Sequence, residues 1–319
     1  MKSNLSNRKT VFYAGAWKIF TIIAFCMTFF PLFAADSIYG EDPLAPVSDT
    51  SWGNRSKELR HAIDTHNCGK GCGALLSHNA HFVMNPAALM INKMFSVAAL
   101  YQFVDAMSAS VSDSKTSVVG GGIMYSYNSG LHHIKTNFGF PIWPGFIYGG
   151  INLNNYIGEF EPTQNKEINS HSFDVGIAAQ ITPLVNLGFA ALDVWTFSGH
   201  DIPRKLSWNA EVNIKDMFFI NNGWQYHLQQ GKEKFPNKRK TLKGFDFYSG
   251  FEFRYAWFRA GIGFNNISFS KKFTWYTTTK TFSLAFYKQG TGGIYGNFMY
   301  NESNYMIFSI NLIWEPNVG

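Results

Sequence analysis

From Phe95 to Trp314, apolar side chains recur at every second position and almost nowhere at helical spacing. Phe251, Phe253, Tyr255 and Trp257 alternate with Glu252 and Arg254; the phase then flips, and Phe258, Ala260, Ile262 and Phe264 carry the apolar face. A period of two is the signature of a strand, and a phase flip marks a tight turn or a bulge. The same pattern runs through Phe95, Val97, Ala99 and Tyr101, through Phe173, Val175 and Ile177, through Trp208, Ala210, Val212 and Ile214, and through Met306, Phe308, Ile310 and Leu312. Twelve such segments are legible, at 94–104, 117–129, 131–140, 145–158, 170–181, 184–198, 204–218, 243–254, 256–270, 277–288, 290–300 and 304–315. Closed membrane barrels use strands of about ten residues with this alternation.

Two architectures accommodate so many alternating strands: a soluble sandwich or barrel, and a transmembrane barrel. Composition separates them. Charged residues make up 15% of the chain and aromatics 17%, against roughly 25% charged in an ordinary soluble domain. The face opposite the apolar one is mostly Gly, Ser, Asn, Thr and Ala, where a soluble sheet would carry charge. Trp143, Tyr148, Trp195, Trp208, Trp257, Trp275, Tyr276 and Trp314 fall near segment ends, as interfacial girdles do. The expected fold is therefore all-β, a transmembrane antiparallel barrel. A polytopic helical protein would need repeated apolar runs of about 20 residues, and only the N-terminus approaches one.

Residues 1–35 read as an export signal: Arg8, Lys9 and Lys18 precede an apolar run from Ile19 to Phe33, followed by Ala34 and Ala35. Cys26 follows Phe25 inside that run, which does not fit a lipidation site. Removing residues 1–34 takes away four basic residues and no acid, so 27 basic against 21 acidic residues becomes 23 against 21. The basic character of the whole chain thus belongs largely to the signal, and nucleic acid is not an expected partner. The expected partners are lipid, lipopolysaccharide and the barrel-assembly machinery. The mature chain is expected to begin near Asp36 and to reside in the bacterial outer membrane.

Residues 36–93 lack the alternation of the strand-forming region. Pro43 and Pro46 lie in an extended linker, 55–64 has the spacing of a short helix, and a Gly-rich NCGKGCGALL precedes HFVMNPAALMINKM. A segment of this length and partly helical character suffices to plug a lumen, with the barrel proper spanning 94–319. The run FVMNPAALMINKMFSVAALYQF followed by SVSDSKTSVVGGGIMYSY resembles the start of barrels related to the long-chain fatty acid transporter (FadL) and PorV. FDVGIAAQITPLVNLGFAALDV and YAWFRAGIGFNN are similar to later hairpins of the same superfamily. The resemblance extends over about residues 70–315 as a pattern, but only Asn85–Pro86–Ala87 is specific. It implies about fourteen strands, so that the expected number lies between 12 and 14, and places the Asn-Pro-Ala motif where the N-terminal segment enters the first strand. Pro86 fixes its own φ and holds Asn85 extended, while the Asn85 side chain is able to bond neighbouring backbone. These three residues are expected to form a structural hinge with no catalytic role.

Cys68 and Cys72 are the two cysteines that remain after signal removal. In an oxidising compartment a local disulfide is the leading reading; a metal site with His61, His66, His78 or His81, and two free thiols, are the alternatives, and the spacing matches no zinc or haem signature. No metal or cofactor is expected. His132 and His133 open a hairpin and are expected to face solvent. Asp105, Asp113, Ser114 and Lys115 fall in the first inter-strand connection as turn formers. Lys232, Lys234, Lys238, Arg239, Lys240 and Lys243 form a basic connection, either simply solvated or in contact with lipopolysaccharide phosphates or another anionic partner. No G-x-S-x-G, H-E-x-x-H or P-loop occurs, so an enzyme is not expected. Two functions remain: passive passage of small hydrophobic molecules across the outer membrane, or a non-transporting platform or shuttle for surface proteins.

Overall fold

The computed structural model describes residues 79–102, 106–128, 131–159, 167–198, 205–227, 244–269, 275–301 and 305–316. The expected export signal and 55–64 helix, His61, His66, Cys68, Cys72, His78, Asp105 and the basic residues from Lys232 to Lys243 lie outside the described residues.

Among the described residues, two one-turn helices, α1 (Ala80–Val83) and α2 (Ala88–Ile91), precede the barrel. Fourteen strands complete the fold: β1 Phe95–Gln102, β2 Ala106–Asp113, β3 Gly120–Asn128, β4 Leu131–Trp143, β5 Ile147–Glu159, β6 Glu167–Thr182, β7 Val185–Ser198, β8 Lys205–Ile214, β9 Phe218–His227, β10 Gly244–Tyr255, β11 Phe258–Phe269, β12 Trp275–Lys288, β13 Gly292–Asn301 and β14 Tyr305–Trp314. Each pairs antiparallel with its chain neighbours, and β1 closes on β14 through Val97 opposite Trp314 to Gln102 opposite Ser309. Closure leaves no sheet edge, the condition hydrocarbon imposes on a spanning sheet.

The alternation sorts side chains by face. Ile151, Leu153 and Ile157 of β5 are exposed while Asn152, Asn154 and Tyr156 are buried; Phe282, Leu284 and Phe286 of β12 are exposed while Thr281, Ser283 and Ala285 are buried. The outer face is apolar and the inner face is hydroxyl- and amide-rich. It also carries charges that the spacing alone did not rank: Lys135, Asp174, Asp193, Lys205, Glu211 and Glu252 are all buried. Connections between even and odd strands are two to six residues long, and those at the opposite end run from two to sixteen. Both β1 and β14 meet the rest of the chain at the first of these, called here the turn end.

Two strands were not legible in advance. In β2, AMSASVSD, outward Met107 and Val111 and inward Ser108, Ser110 and Ser112 differ too little in bulk to show an alternation. In β9, Phe219 is buried on the inner face while Asn222 stands on the outer, which breaks the pattern. The phase flip after Trp257 is a turn of two residues, with Ala256 at φ 52°. The girdle needs correction. Trp143, Trp257 and Trp314 are exposed at the turn end, and Trp208 stands on the outer face between Phe189 and Trp224 in its flanking ladders, but Tyr148 faces inward. Beyond Trp314 the chain does not simply trail away: Glu315 accepts hydrogen bonds from the Tyr287 hydroxyl at 2.7 Å and the Gly290 amide at 2.7 Å, tying the end of β14 to the β12–β13 turn.

Candidate functional site

Residues 79–94, the inner segment, lie against the inward faces of β3 to β7, and ladder registers show why they fit there. Gly120, Gly139, Gly150, Gly176 and Ala190 stand opposite one another on five successive strands. This row has almost no side chain, so it forms a shallow lane on the inner wall, and the inner segment occupies it. A Cβ on Gly150 would stand 2.3 Å from the Pro86 carbonyl carbon and 2.4 Å from the Ala87 nitrogen. A Cβ on Gly176 would meet Pro86 Cδ at 2.8 Å, and those on Gly120 and Gly139 would meet Met90 at 2.9 and 2.8 Å. The room that Gly120–Gly122 leaves at the wall is thus filled by Leu89, Met90 and Phe82.

The next rows toward the opposite end are polar and hold the segment by its backbone. One contains Gly122, Asn137, Asn152 and Asp174; the adjacent one contains Met124, Lys135, Asn154 and Ser172. Asn137 Nδ2 donates to the Pro86 carbonyl at 3.1 Å, Asn152 Nδ2 to the His81 carbonyl at 2.9 Å, and Lys135 Nζ to the Phe82 carbonyl at 2.6 Å. Short helices leave carbonyls without intrahelical partners, and buried carbonyls need some partner; here the barrel wall supplies it. Lys135 also pairs with Asp174 at 2.9 Å, and Asp174 accepts further bonds from Asn152, Asn154 and the Asp193 amide. Asp193 is brought inward by an irregularity: between Phe173–Trp195 and Val175–Ala191, one residue of β6 faces three of β7, and Asp193 takes φ 53°. Its carboxylate accepts from Asn154, Tyr156 and Ser172. A side-chain network over four strands results, in which every member touches the next.

Asn85 links the segment to the wall at a different place. Its Oδ1 accepts from the Ala87 amide at 3.0 Å, a local bond that shapes the turn, and its Nδ2 donates to the Ile177 and Phe189 carbonyls at 3.0 and 3.3 Å. Those carbonyls belong to residues directly paired across β6 and β7. The expectation for Asn85–Pro86–Ala87 invoked local backbone bonds; the contacts with distant strands had no local signal. At the exit into β1, the Met94 amide donates to Ser114 Oγ at 3.0 Å. Asp113, a predicted turn former, accepts from the Lys115 and Thr116 amides.

The tip of the segment spans the bore. Phe82, Val83 and Met84 share one buried cluster with Met124 of β3 and Tyr248 of β10, which stand on opposite walls of the closed sheet. His81, a candidate metal ligand in the sequence, is fully buried and tilted against the Phe82 ring, and neither ring nitrogen has a hydrogen-bond partner. Among the described residues no group of three or more His, Cys, Asp or Glu converges on a common point. His132 and His133 do not simply face solvent: His132 shares a 2.7 Å hydrogen bond with Tyr125, and His133 is buried in a stack on Tyr156 with centroids 4.1 Å apart.

Burial, with Lys135 adding to it, holds the His81 imidazole down at about 3. A released ring titrates near 6.5. Between these values the released state takes up a proton that the seated state refuses, so His81 does not oppose seating above about 6.5 and opposes it increasingly as pH falls toward 3. Hydrogen exchange of residues 79–94 should therefore accelerate from pH 7 to pH 4 after correction for intrinsic rates, and His81→Leu should flatten that dependence. An unchanged slope in His81→Leu would show that another group controls it.

No family profile and no curated protein matches the chain. Solved structures do. The Pseudomonas putida toluene transporter TodX aligns at a TM-score of 0.53 and 9% identity, over 79% of this chain and 97% of its own. The CymD monoaromatic hydrocarbon channel aligns at 0.51 and 12%, over 77% and 96%. The Acinetobacter baumannii outer membrane protein Omp33 aligns at 0.45 and 11%, over 70% and 98%. The chain shares its fold with the TodX and CymD barrels. None of these neighbours is described as an enzyme.

Proposed function

We propose that this protein is a plugged outer-membrane barrel through which small amphipathic molecules pass by diffusion, with residues 79–94 as the described part of the plug. The observation that carries this reading is the inner segment itself: a closed barrel, apolar outside and polar inside, has its bore crossed by chain that the wall seats through glycines and hydrogen bonds. Orientation comes from connection length, because barrels of this kind carry short turns on the periplasmic side and longer loops outside. The turn end then faces the periplasm, and the connection holding Lys232 to Lys243 faces outward, where contact with lipopolysaccharide phosphates is its proposed role.

TodX, a toluene transporter, and CymD, a monoaromatic hydrocarbon channel, support an apolar solute. The lining refines that choice. Ser207, Asn209, Asn221, Thr281, Ser283, Asn297 and Asn311 are inward, so a solute carrying a hydrogen-bonding group beside its apolar body suits this lumen better than a bare hydrocarbon. An apolar molecule is held back by the polar lipopolysaccharide surface, and a barrel helps by offering a route past that layer. The interruption of the β6–β7 ladder at Asp193 supports a sideways exit, since the wall there is joined by side chains in place of ladder bonds.

The test is uptake. Cells lacking the protein should take up aromatic alcohols and medium-chain acids more slowly, and purified protein in liposomes should restore entry. Unchanged uptake together with stable co-isolation of a surface protein would replace this reading with that of a platform.

A further inference from the structure

We propose that Tyr248 is the far-wall clamp of the inner segment and, through it, the residue that sets what passes along the bore. The inference rests on the channel reading and adds to it a residue that determines selectivity.

Three observations converge on this side chain. The first is its place. Tyr248 is 4% exposed on β10 and completes the cluster of Phe82, Val83, Met84 and Met124, whose β3 member lies on the opposite wall. The wall around Tyr248 is otherwise polar: Asn221 on the neighbouring strand, Asn209 and Glu211 on the next, and Glu252 on its own. An apolar ring in a polar stretch, packed with the apolar tip of a segment held from the other side, is the point at which that segment meets this wall.

The second is the tether. The Tyr248 hydroxyl donates to the Trp208 carbonyl at 2.9 Å, which carries the ring across β9 to β8. A buried tyrosine hydroxyl requires a partner, and this one fixes the direction of the ring as well. The third is the space beneath it. Gly223 stands directly opposite both Asn209 and Tyr248, and a Cβ there would lie 2.3 Å from the Trp208 carbonyl oxygen, 2.3 Å from the Tyr248 hydroxyl oxygen that bonds it and 2.4 Å from Cζ. Only a residue without a side chain lets the ring lie along the wall. β9 therefore supplies a gap, β8 an acceptor and β10 the ring.

The consequence is physical. Ions and water avoid an apolar constriction in an otherwise polar lumen, so a bore closed by this cluster passes little current while it stays closed. Releasing the ring frees the tip of the inner segment from one wall and opens a path beside it.

The experiment compares the full mature chain with Tyr248→Ala, Gly223→Ala and Tyr248→Phe, each first checked for heat-modifiable migration as a folded barrel. Two quantities are read: single-channel conductance in potassium chloride, and hydrogen exchange of the Met84 and Asn85 amides, which are bonded to the Ala80 carbonyl. Tyr248→Ala should raise conductance several-fold and speed exchange. Gly223→Ala should move both in the same direction without altering Tyr248 itself, and Tyr248→Phe, which keeps the ring and loses the tether, should fall between. Unchanged conductance and exchange in folded Tyr248→Ala would overturn the clamp. If exchange responds as expected while the wild type carries no solute in the uptake assay, the clamp stands and the channel reading fails. If uptake is intact in the wild type and Tyr248→Ala changes nothing, the reverse holds.

Discussion

Gly150→Val is expected to unseat the inner segment while leaving the barrel closed. The atoms in the way are the Pro86 carbonyl carbon and oxygen and the Ala87 nitrogen, at 2.3 to 2.4 Å from a Cβ on Gly150. All three are backbone, so no rotamer change relieves the overlap, and Asn85–Pro86–Ala87 must move away from the wall as a unit. That movement breaks the Asn137 bond to the Pro86 carbonyl and both Asn85 bonds to the carbonyls of β6 and β7. Overpacking costs about 1–3 kcal/mol, and each lost hydrogen bond adds about 1 kcal/mol. A total of this order is enough to make the seated arrangement a minor one, since every ~1.4 kcal/mol is a factor of ten. Gly121→Val is the control, because Gly121 lies on the same sheet with nothing nearer than 3.8 Å to its would-be Cβ. The expected result is loss of protease and exchange protection over residues 79–94 in Gly150→Val alone, with heat-modifiable migration intact in both. Full protection of the segment in a folded Gly150→Val barrel would mean that the glycine lane is not what seats it.

Lys135→Met is the second large effect, and it acts on stability. Lys135 and Asp174 are buried at 5% and 0% exposure, and Lys135 Nζ is shared between the Asp174 carboxylate and the Phe82 carbonyl. Truncation leaves a carboxylate in a water-poor site with amide donors but no counter-charge. Removing one partner of a buried ion pair typically costs about 3–5 kcal/mol, far more than the net worth of the pair, because the remaining charge stays desolvated. Lys135→Met should therefore lower the urea midpoint of the detergent-solubilised barrel sharply, whereas Lys115→Met, at an exposed position, should not. Adding Asp174→Asn to Lys135→Met should recover part of the loss, since the stranded charge is then gone. Equal midpoints for Lys135→Met and Lys115→Met would show that the pair is not a structural support.

Much of this protein was legible without coordinates. Period-two alternation in a chain with only 15% charged residues pointed to a closed transmembrane sheet, because hydrocarbon tolerates no unpaired backbone and lipid-facing and lumen-facing residues must alternate. Most strand positions came from that, and the flip after Trp257 located a turn. The misses have local causes. The small residues of β2 give no contrast between faces, and β9 places Phe219 inside and Asn222 outside. Tyr148 was misread because an aromatic near a segment end looks the same whether it anchors at an interface or packs inward.

The candidate site was legible only in fragments. Asn85–Pro86–Ala87 stood out by position, but what it meets did not. Gly120, Gly139, Gly150 and Gly176 lie in four separate strands and form one lane only when the registers align them. Lys135 and Asp174 are 39 residues apart, and Tyr248 lies 40 from the Trp208 carbonyl it bonds and 25 from the glycine that makes room for it. Alternation along one strand says which face a residue takes, because that is a local property of the pleat. Which residues from different strands share a row depends on register, and register is a property of the closed sheet as a whole. The architecture was therefore determined by the sequence pattern alone, whereas the seat of the inner segment, its ion pair and its clamp were decided only when the fourteen strands closed.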